Sequence, residues 1–273
     1  MELTDVYAKS RRSIIALASK AVLSKTNPAF PEILGTAFVI DERGIAVTNR
    51  HVVRALEKLQ RHPKTKEHPA IAIALSDVQP TGVGHSLEVV FPNIRRWDKL
   101  TTFTSSDKFY GEQIPDVAFV QLDVRGLPAL PLVTEERSWE IGTQIATAGF
   151  PLGKDALVIY GQVNQVAPIL RVGVIASVYP FPCPKPHGFT IDIMTLGGES
   201  GSPIFLQHQP AVVGLLHAGF NHTNITMAIP SWIVQKMFES YLQKVPLDFS
   251  GVPSLEDLLE KKKAVSTLSS SAV

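Results

Sequence analysis

Three short segments of the 273-residue chain carry side chains suited to proton transfer and nucleophilic attack. His51 closes Thr48-Asn49-Arg50-His51, at the junction of an apolar strand and a helix. Asp116 stands in Pro115-Asp116-Val117-Ala118-Phe119-Val120, at the mouth of a second apolar stretch. Ser200 sits in Gly197-Gly198-Glu199-Ser200-Gly201-Ser202-Pro203, just ahead of Ile204-Phe205. Each alone has a bland explanation: a structural histidine, a turn-capping acid, a glycine-rich surface turn. Together they supply what acyl transfer needs. A serine hydroxyl is a poor nucleophile at neutral pH and needs an imidazole to take its proton. The imidazole needs a carboxylate on its other nitrogen to fix the tautomer and stabilise the imidazolium. The tetrahedral oxyanion needs preset donors, each worth about 3–4 kcal/mol. Glycine at 198 lets the backbone turn so that the N–H groups of Gly198 and Ser200 point into one hole.

The elements that must position these residues are mostly strands. Strand-like runs at 14–22, 35–40, 45–48, 70–75, 117–122, 144–148, 172–178, 189–194, 204–206 and 212–216 are separated by turn signals such as Asp41-Glu42-Arg43-Gly44. Helical patterns are few: a short amphipathic start at 2–12, then 51–59 and 230–242. Residues 61–69 and 82–115 look like loops or insertions, and the prolines of 179–186 call for an extended loop. Residues 244–273 turn polar and serine-rich, which predicts a flexible tail after a domain spanning 1–243.

Composition narrows the class. Apolar residues at 45% and charged residues at 19% support a packed core and exclude global disorder. Twenty-six Lys+Arg against 25 Asp+Glu leave a net charge of +1, so no basic footprint for nucleic acid or anionic lipid stands out. No run reaches the roughly 18 apolar residues of a membrane helix. The single cysteine, Cys183, excludes an internal disulfide framework and fits a reducing, cytoplasmic location. The alternative is export, because Ser10-Arg11-Arg12-Ser13-Ile14-Ile15 resembles a twin-arginine signal, although Lys20 breaks the apolar region that follows. His62, His68, His85, His208 and His222 have no metal-ligand rhythm, and Cys183 lacks a catalytic context; no cofactor or metal is expected.

The order His51…Asp116…Ser200 is that of chymotrypsin, whereas an α/β-hydrolase runs Ser…Asp…His with a G-x-S-x-G elbow. On these three blocks the chain resembles the trypsin-like serine peptidases of the chymotrypsin fold, nearest to bacterial HtrA-like and glutamyl-endopeptidase-like enzymes. Residues 35–53 look like the family's glycine-opened strand and histidine block, and Ala148-Gly149-Phe150-Pro151-Leu152-Gly153 is similar to an HtrA-like G-x-P-x-G turn. The resemblance covers about residues 10–242, with 54–115 poorly matched. It implies an all-β double six-stranded barrel, over roughly 10–125 and 130–230, with a C-terminal helix at 230–242. It also implies a serine endopeptidase acting on protein or peptide substrates through an acyl-enzyme on Ser200. Glu199 departs from the family's Asp or Asn before the nucleophile. A latent protease needing an activating partner, or a catalytically silent binding module, therefore stays open.

The same resemblance assigns the primary pocket to Met194 and Thr195, six and five residues before the serine, and to His217, Ala218 and Gly219 on a substrate-binding strand. Neutral Met194 gives Lys or Arg no partner. Thr195 with His217 is similar to a pocket for Glu or Gln, since a hydroxyl and an imidazole can both donate to a side-chain oxygen. The competing reading is an apolar pocket for Leu or Val.

Overall fold

Residues 14–19, Ile-Ile-Ala-Leu-Ala-Ser, have no polar face, so they suit a strand covered on both sides. In the computed structural model they form one. The structure describes residues 1–20, 31–61, 63–76, 80–81, 84–85, 88–100, 114–135, 138–153, 158–159, 162–163, 167–220 and 223–260. The first half contains α1 (Leu3–Ser10), a 3-10 turn (Arg11–Ser13), β1 (Ile14–Ser19), β2 (Glu32–Asp41), β3 (Ile45–Thr48) and α2 (Arg50–Glu57). It continues with β4 (Ala70–Ser76), the short pair β5 (Pro80–Thr81) and β6 (Gly84–His85), β7 (Glu88–Val90), β8 (Ile94–Asp98) and β9 (Ala118–Leu122). The main sheet runs β7-β4-β1-β2-β3-β9-β8. The Arg11-Arg12 segment that resembles an export signal thus leads into an interior strand.

The two edges of this sheet are adjacent pieces of chain. Strands β7 and β8 flank Phe91-Pro92-Asn93, where Pro92 lacks an N–H and the ladder breaks. The Ala72 N–H donates to Pro92 C=O at 2.9 Å and Ile71 bridges Asn93, which curls the sheet towards closure. Part of the 82–115 stretch read as a loop or insertion therefore supplies β7 and β8 to the sheet, while β4 falls on the strand expected at 70–75. Its remainder, including Asp107, lies outside the described residues.

The second half contains β10 (Gln144–Gly149), the small pair β11 (Val158–Ile159) and β12 (Gln162–Val163), β13 (Ile169–Tyr179), β14 (Gly188–Asp192), β15 (Pro203–Leu206), β16 (Val212–Gly219), β17 (Ile225–Pro230) and α3 (Ser231–Lys244). Six of these strands close into a barrel in the order β10-β13-β14-β17-β16-β15. The expected chymotrypsin-like pairing with a terminal helix is observed, but only the second half closes as a six-stranded barrel; the first is a half-barrel of seven strands, left open between β7 and β8.

Helix α3 joins the halves. Its buried face carries Trp232, Ile233, Val234, Met237, Phe238 and Tyr241. The Tyr241 and Phe238 rings lie 4.9 and 5.6 Å from that of Phe119 in β9. Burial pushes the Tyr241 phenol up to about 12. The chain then turns back along the first half. Arg125 N–H donates to Pro253 C=O at 3.0 Å, Leu255 N–H donates to Arg125 C=O at 2.8 Å, and Arg125 Nε donates to Val252 C=O at 2.8 Å. Val245, Val252 and Leu255 are buried. Residues 245–260 are thus packed on the body rather than a flexible tail, because their sparse apolar side chains find a groove that a local polarity reading does not reveal; 261–273 lie outside the described residues. Among the described residues no helix is long and apolar enough to cross a membrane.

Candidate active site

His51 occupies the first turn of α2, two residues past the helix-capping Asn49. Asn49 is fully buried, and its Nδ2 donates to the Asp116 C=O at 2.9 Å. The helix start is thereby tied to the residue ahead of β9, and β3 pairs with β9 through Thr48↔Ala118. This brings residues 65 positions apart into contact. His51 N–H donates to Asp116 Oδ1 at 3.0 Å, and His51 Nδ1 lies 2.5 Å from Asp116 Oδ2. A second imidazole reaches the same oxygen: His217 Nδ1 is 3.0 Å from Asp116 Oδ2. Burial raises the Asp116 carboxyl's proton affinity, but hydrogen bonds from His217 and His51 outweigh it and hold the group well below the usual carboxylate range. With Nδ1–H turned to the carboxylate, His51 Nε2 is left as the proton acceptor, the tautomer that base catalysis requires.

Ser200 stands in the turn between Ile193 and β15, held from three sides. Thr36 N–H donates to Ser200 C=O at 2.9 Å, Thr36 Oγ1 donates to Gly198 C=O at 2.8 Å, and Leu152 N–H donates to Gly197 C=O at 2.6 Å. On the far side Gly201 N–H donates to Leu216 C=O at 3.1 Å and Leu216 N–H to Ser202 C=O at 2.9 Å. Glycine is needed at two of these positions. Gly198 has φ +95° and Gly201 φ +90°, and a Cβ would stand 2.3 Å from Phe150 O or 2.0 Å from Thr36 O. Among the described residues the N–H groups of Gly198 and Ser200 donate to no backbone carbonyl. Ser200 Oγ likewise has no hydrogen bond with His51.

Glu199 turns away from this face. Its side chain is 2% exposed; Oε2 accepts the Leu196 N–H at 2.6 Å and Oε1 lies 3.2 Å from Arg171 Nε. Arg171 also donates to the Met194 C=O. Burial pushes the Glu199 carboxyl up, opposed by the Leu196 N–H and the Arg171 guanidinium. The unusual residue before Ser200 therefore fastens 194–199 to β13.

The substrate-side residues gather at the end of β16. Ala218 and Gly219 pair with β17 on one edge (Ala218↔Met227, Gly219↔Thr226), with His217 at a register shift, while β15 and the serine turn pair no further than Leu216 on the other. Among the described residues, 217–219 thus leave an unpaired strand edge beside Ser200. Thr195 lies against them, since a Cβ on Gly219 would stand 2.4 Å from Thr195 Oγ1. Thr226 Oγ1 donates to Ile193 C=O at 2.6 Å, so its 3.0 Å bond with Thr195 Oγ1 uses the Thr195 proton. Met194 is 46% exposed. His217 meets Asp116 through Nδ1, separate from the Thr195–Thr226 pair.

Sequence reading does not single out Asn49, Thr36, Thr48, Arg171 or Thr226. Asn49 alone carried a local signal, an Asn at a helix start; the others act through backbone carbonyls 12 to 162 residues away, whose partners one sequence does not reveal.

The sequence model of the trypsin-like peptidase domain matches residues 35–215, well over half of the chain. The chain belongs to the trypsin-like peptidase domain family, whose members are serine endopeptidases. No curated protein matches it in sequence. Among solved structures it is similar to a serine endoprotease from Yersinia pestis, with 14% identity, a TM-score of 0.55, and coverage of 89% of this chain and 68% of that one. It is also similar to the HtrA-type protease AlgW with a tripeptide (15% identity, TM-score 0.54, coverage 89% and 64%) and to Deg5 (17%, 0.51, 90% and 95%). The chain thus spans about two thirds of the length of the first two. At these identities the likeness establishes the shared fold.

Proposed function

We propose that the chain hydrolyses peptide bonds through an acyl-enzyme on Ser200, with His51 as the base and Asp116 as the group that orients it. The observation that carries this reading is the double grip of Asp116 on His51, backbone N–H and Nδ1 together. It fixes the ring and leaves Nε2 for the serine proton. The N–H groups of Gly198 and Ser200 would receive the oxyanion, and their lack of backbone acceptors supports a resting hole that is open rather than one awaiting a partner. An extended peptide would pair with the free edge of residues 217–219 as an added strand.

The pocket chemistry favours an apolar side chain before the scissile bond. Thr195 gives its only proton to Thr226, and His217 turns Nδ1 to Asp116, so neither of those donors is left for a substrate side chain. A Glu carboxylate, or the side-chain carbonyl of a Gln, needs donors there. Met194 supplies apolar surface instead.

Purified protein should degrade unfolded casein, and mass spectrometry of the products should show cleavage after Leu, Val or similar residues. Ser200→Ala protein, prepared in parallel, should give none. Cleavage persisting in Ser200→Ala would remove Ser200 from the mechanism, and cleavage confined to Glu or Gln would overturn the pocket assignment.

A further inference from the structure

His217 adds something a Ser–His–Asp triad does not need: a second imidazole on the catalytic carboxylate. The ligand atoms of His51, Asp116 and His217 all lie within 4.8 Å of one another. Two imidazole nitrogens and one carboxylate oxygen are a donor set suited to Zn²⁺, which often takes three protein ligands and leaves a fourth position to water. At metal–ligand distances of about 2.0–2.1 Å a tetrahedral ion separates its ligands by about 3.3 Å. The gaps of 2.5 and 3.0 Å between Asp116 and the two imidazoles would open by less than about 1 Å, within side-chain rotation. The His51 side chain is 47% exposed, so the ion has access from solvent.

We infer that His51, Asp116 and His217 form a reversible inhibitory site for a divalent transition-metal ion such as Zn²⁺. The inhibition follows from proton balance. In the metal-free site each imidazole turns Nδ1 to Asp116 Oδ2 and donates to the carboxylate there. An ion bound through Nδ1 displaces the Nδ1 proton, which moves to Nε2 of the same ring. Nε2–H of His51 cannot accept the proton of Ser200, and Asp116 is held by the metal instead of by the imidazole. No bond to substrate is made or broken, and chelation restores the starting tautomer.

This inference rests on the proposed catalytic role of His51, and the test keeps the two apart. Zinc binding is measured on Ser200→Ala protein by competition with a chromophoric chelator, and Co²⁺ binding by its visible absorption. One ion per chain with a four-coordinate Co²⁺ spectrum is expected, weakened by at least about 100-fold in His217→Gln, which deletes a direct ligand. X-ray absorption of the zinc-loaded protein should show two imidazoles, a measurement independent of whether variants fold. Peptidase activity of the unsubstituted protein should fall with stoichiometric Zn²⁺ and return with EDTA. Absent binding, binding unchanged in His217→Gln, or a spectrum without two imidazoles overturns the metal site while leaving the peptidase reading intact. Stoichiometric binding to a protein that never cleaves peptides overturns the peptidase reading and retains the site.

Discussion

His217 Nδ1 lies 3.0 Å from Asp116 Oδ2, the oxygen that His51 Nδ1 reaches at 2.5 Å. On the proposed mechanism His217 is a positioning residue for the carboxylate that would orient the base. A hydrogen bond to a charged group contributes about 1.5–3 kcal/mol, so His217→Ala should lower kcat by roughly tenfold or more. His217→Asn keeps an N–H donor and should recover most of that loss, with KM little changed in both. Equal rates for the Ala and Asn variants would show that donation to Asp116 is irrelevant.

Ser200→Ala and His51→Ala should abolish turnover with melting temperatures close to the parent, because His51 is exposed and Ser200 only half-buried, neither being in the core. Asp116→Asn should lower kcat by roughly 10⁴, the scale set by a wrong histidine tautomer. Asp116 is depressed below its ordinary value of 3.8, so its contribution to stability is present above that pH and is lost as pH falls further. The difference in melting temperature between the parent and Asp116→Asn should therefore shrink below about pH 4. A difference that is constant from pH 7 to pH 3 contradicts the ionised, doubly bonded carboxylate.

Arg171→Gln strips the buried Glu199 of its cation. Breaking a buried pair costs about 3–5 kcal/mol, reduced here because the Arg171 side chain is 24% exposed, so about 2–4 kcal/mol is expected at pH 7. As with Asp116, the effect depends on an ionised carboxylate and fades on acidification, here at a higher pH. Glu199 is raised above 4.5, so its protonated form is favoured in the fold, and the penalty should shrink as pH falls through the raised value. Urea unfolding at pH 7 and pH 4 measures this. A penalty independent of pH would mean that Arg171 acts by packing alone.

Leu255→Ala should destabilise the protein by about 2–3 kcal/mol, since it removes a buried side chain from the groove beside Leu127 and Val124. Ending the chain at Gln243 should cost more, through loss of the Arg125 pairing as well, and should be visible as reduced soluble yield. Unchanged melting temperature in both would place residues 245–260 off the body in solution.

The reach of sequence reading follows the range of the interactions. The edges of β3, at 45 and 48, were legible because Gly44 and the capping Asn49 bracket an apolar run, and His51 and Ser200 sit beside such local punctuation. Within 54–115, β7 and β8 were not legible, because they are short and take their place only by pairing with β4 and β9. Arg171 and Asp116's second imidazole were hidden for the same reason: their partners lie 28 and 101 residues away. Leu255 was legible as part of a short apolar segment, 255–259, able to dock locally; what was not legible is that Val245 and Val252 pack with it.

The most direct measurement is mass spectrometry of the purified protein after exposure to a serine-directed fluorophosphonate. A single adduct on Ser200, formed promptly and abolished by His51→Ala, is the expected result. No adduct on Ser200 in folded protein, or labelling undiminished in His51→Ala, would contradict catalysis by the His51–Asp116 pair acting on Ser200.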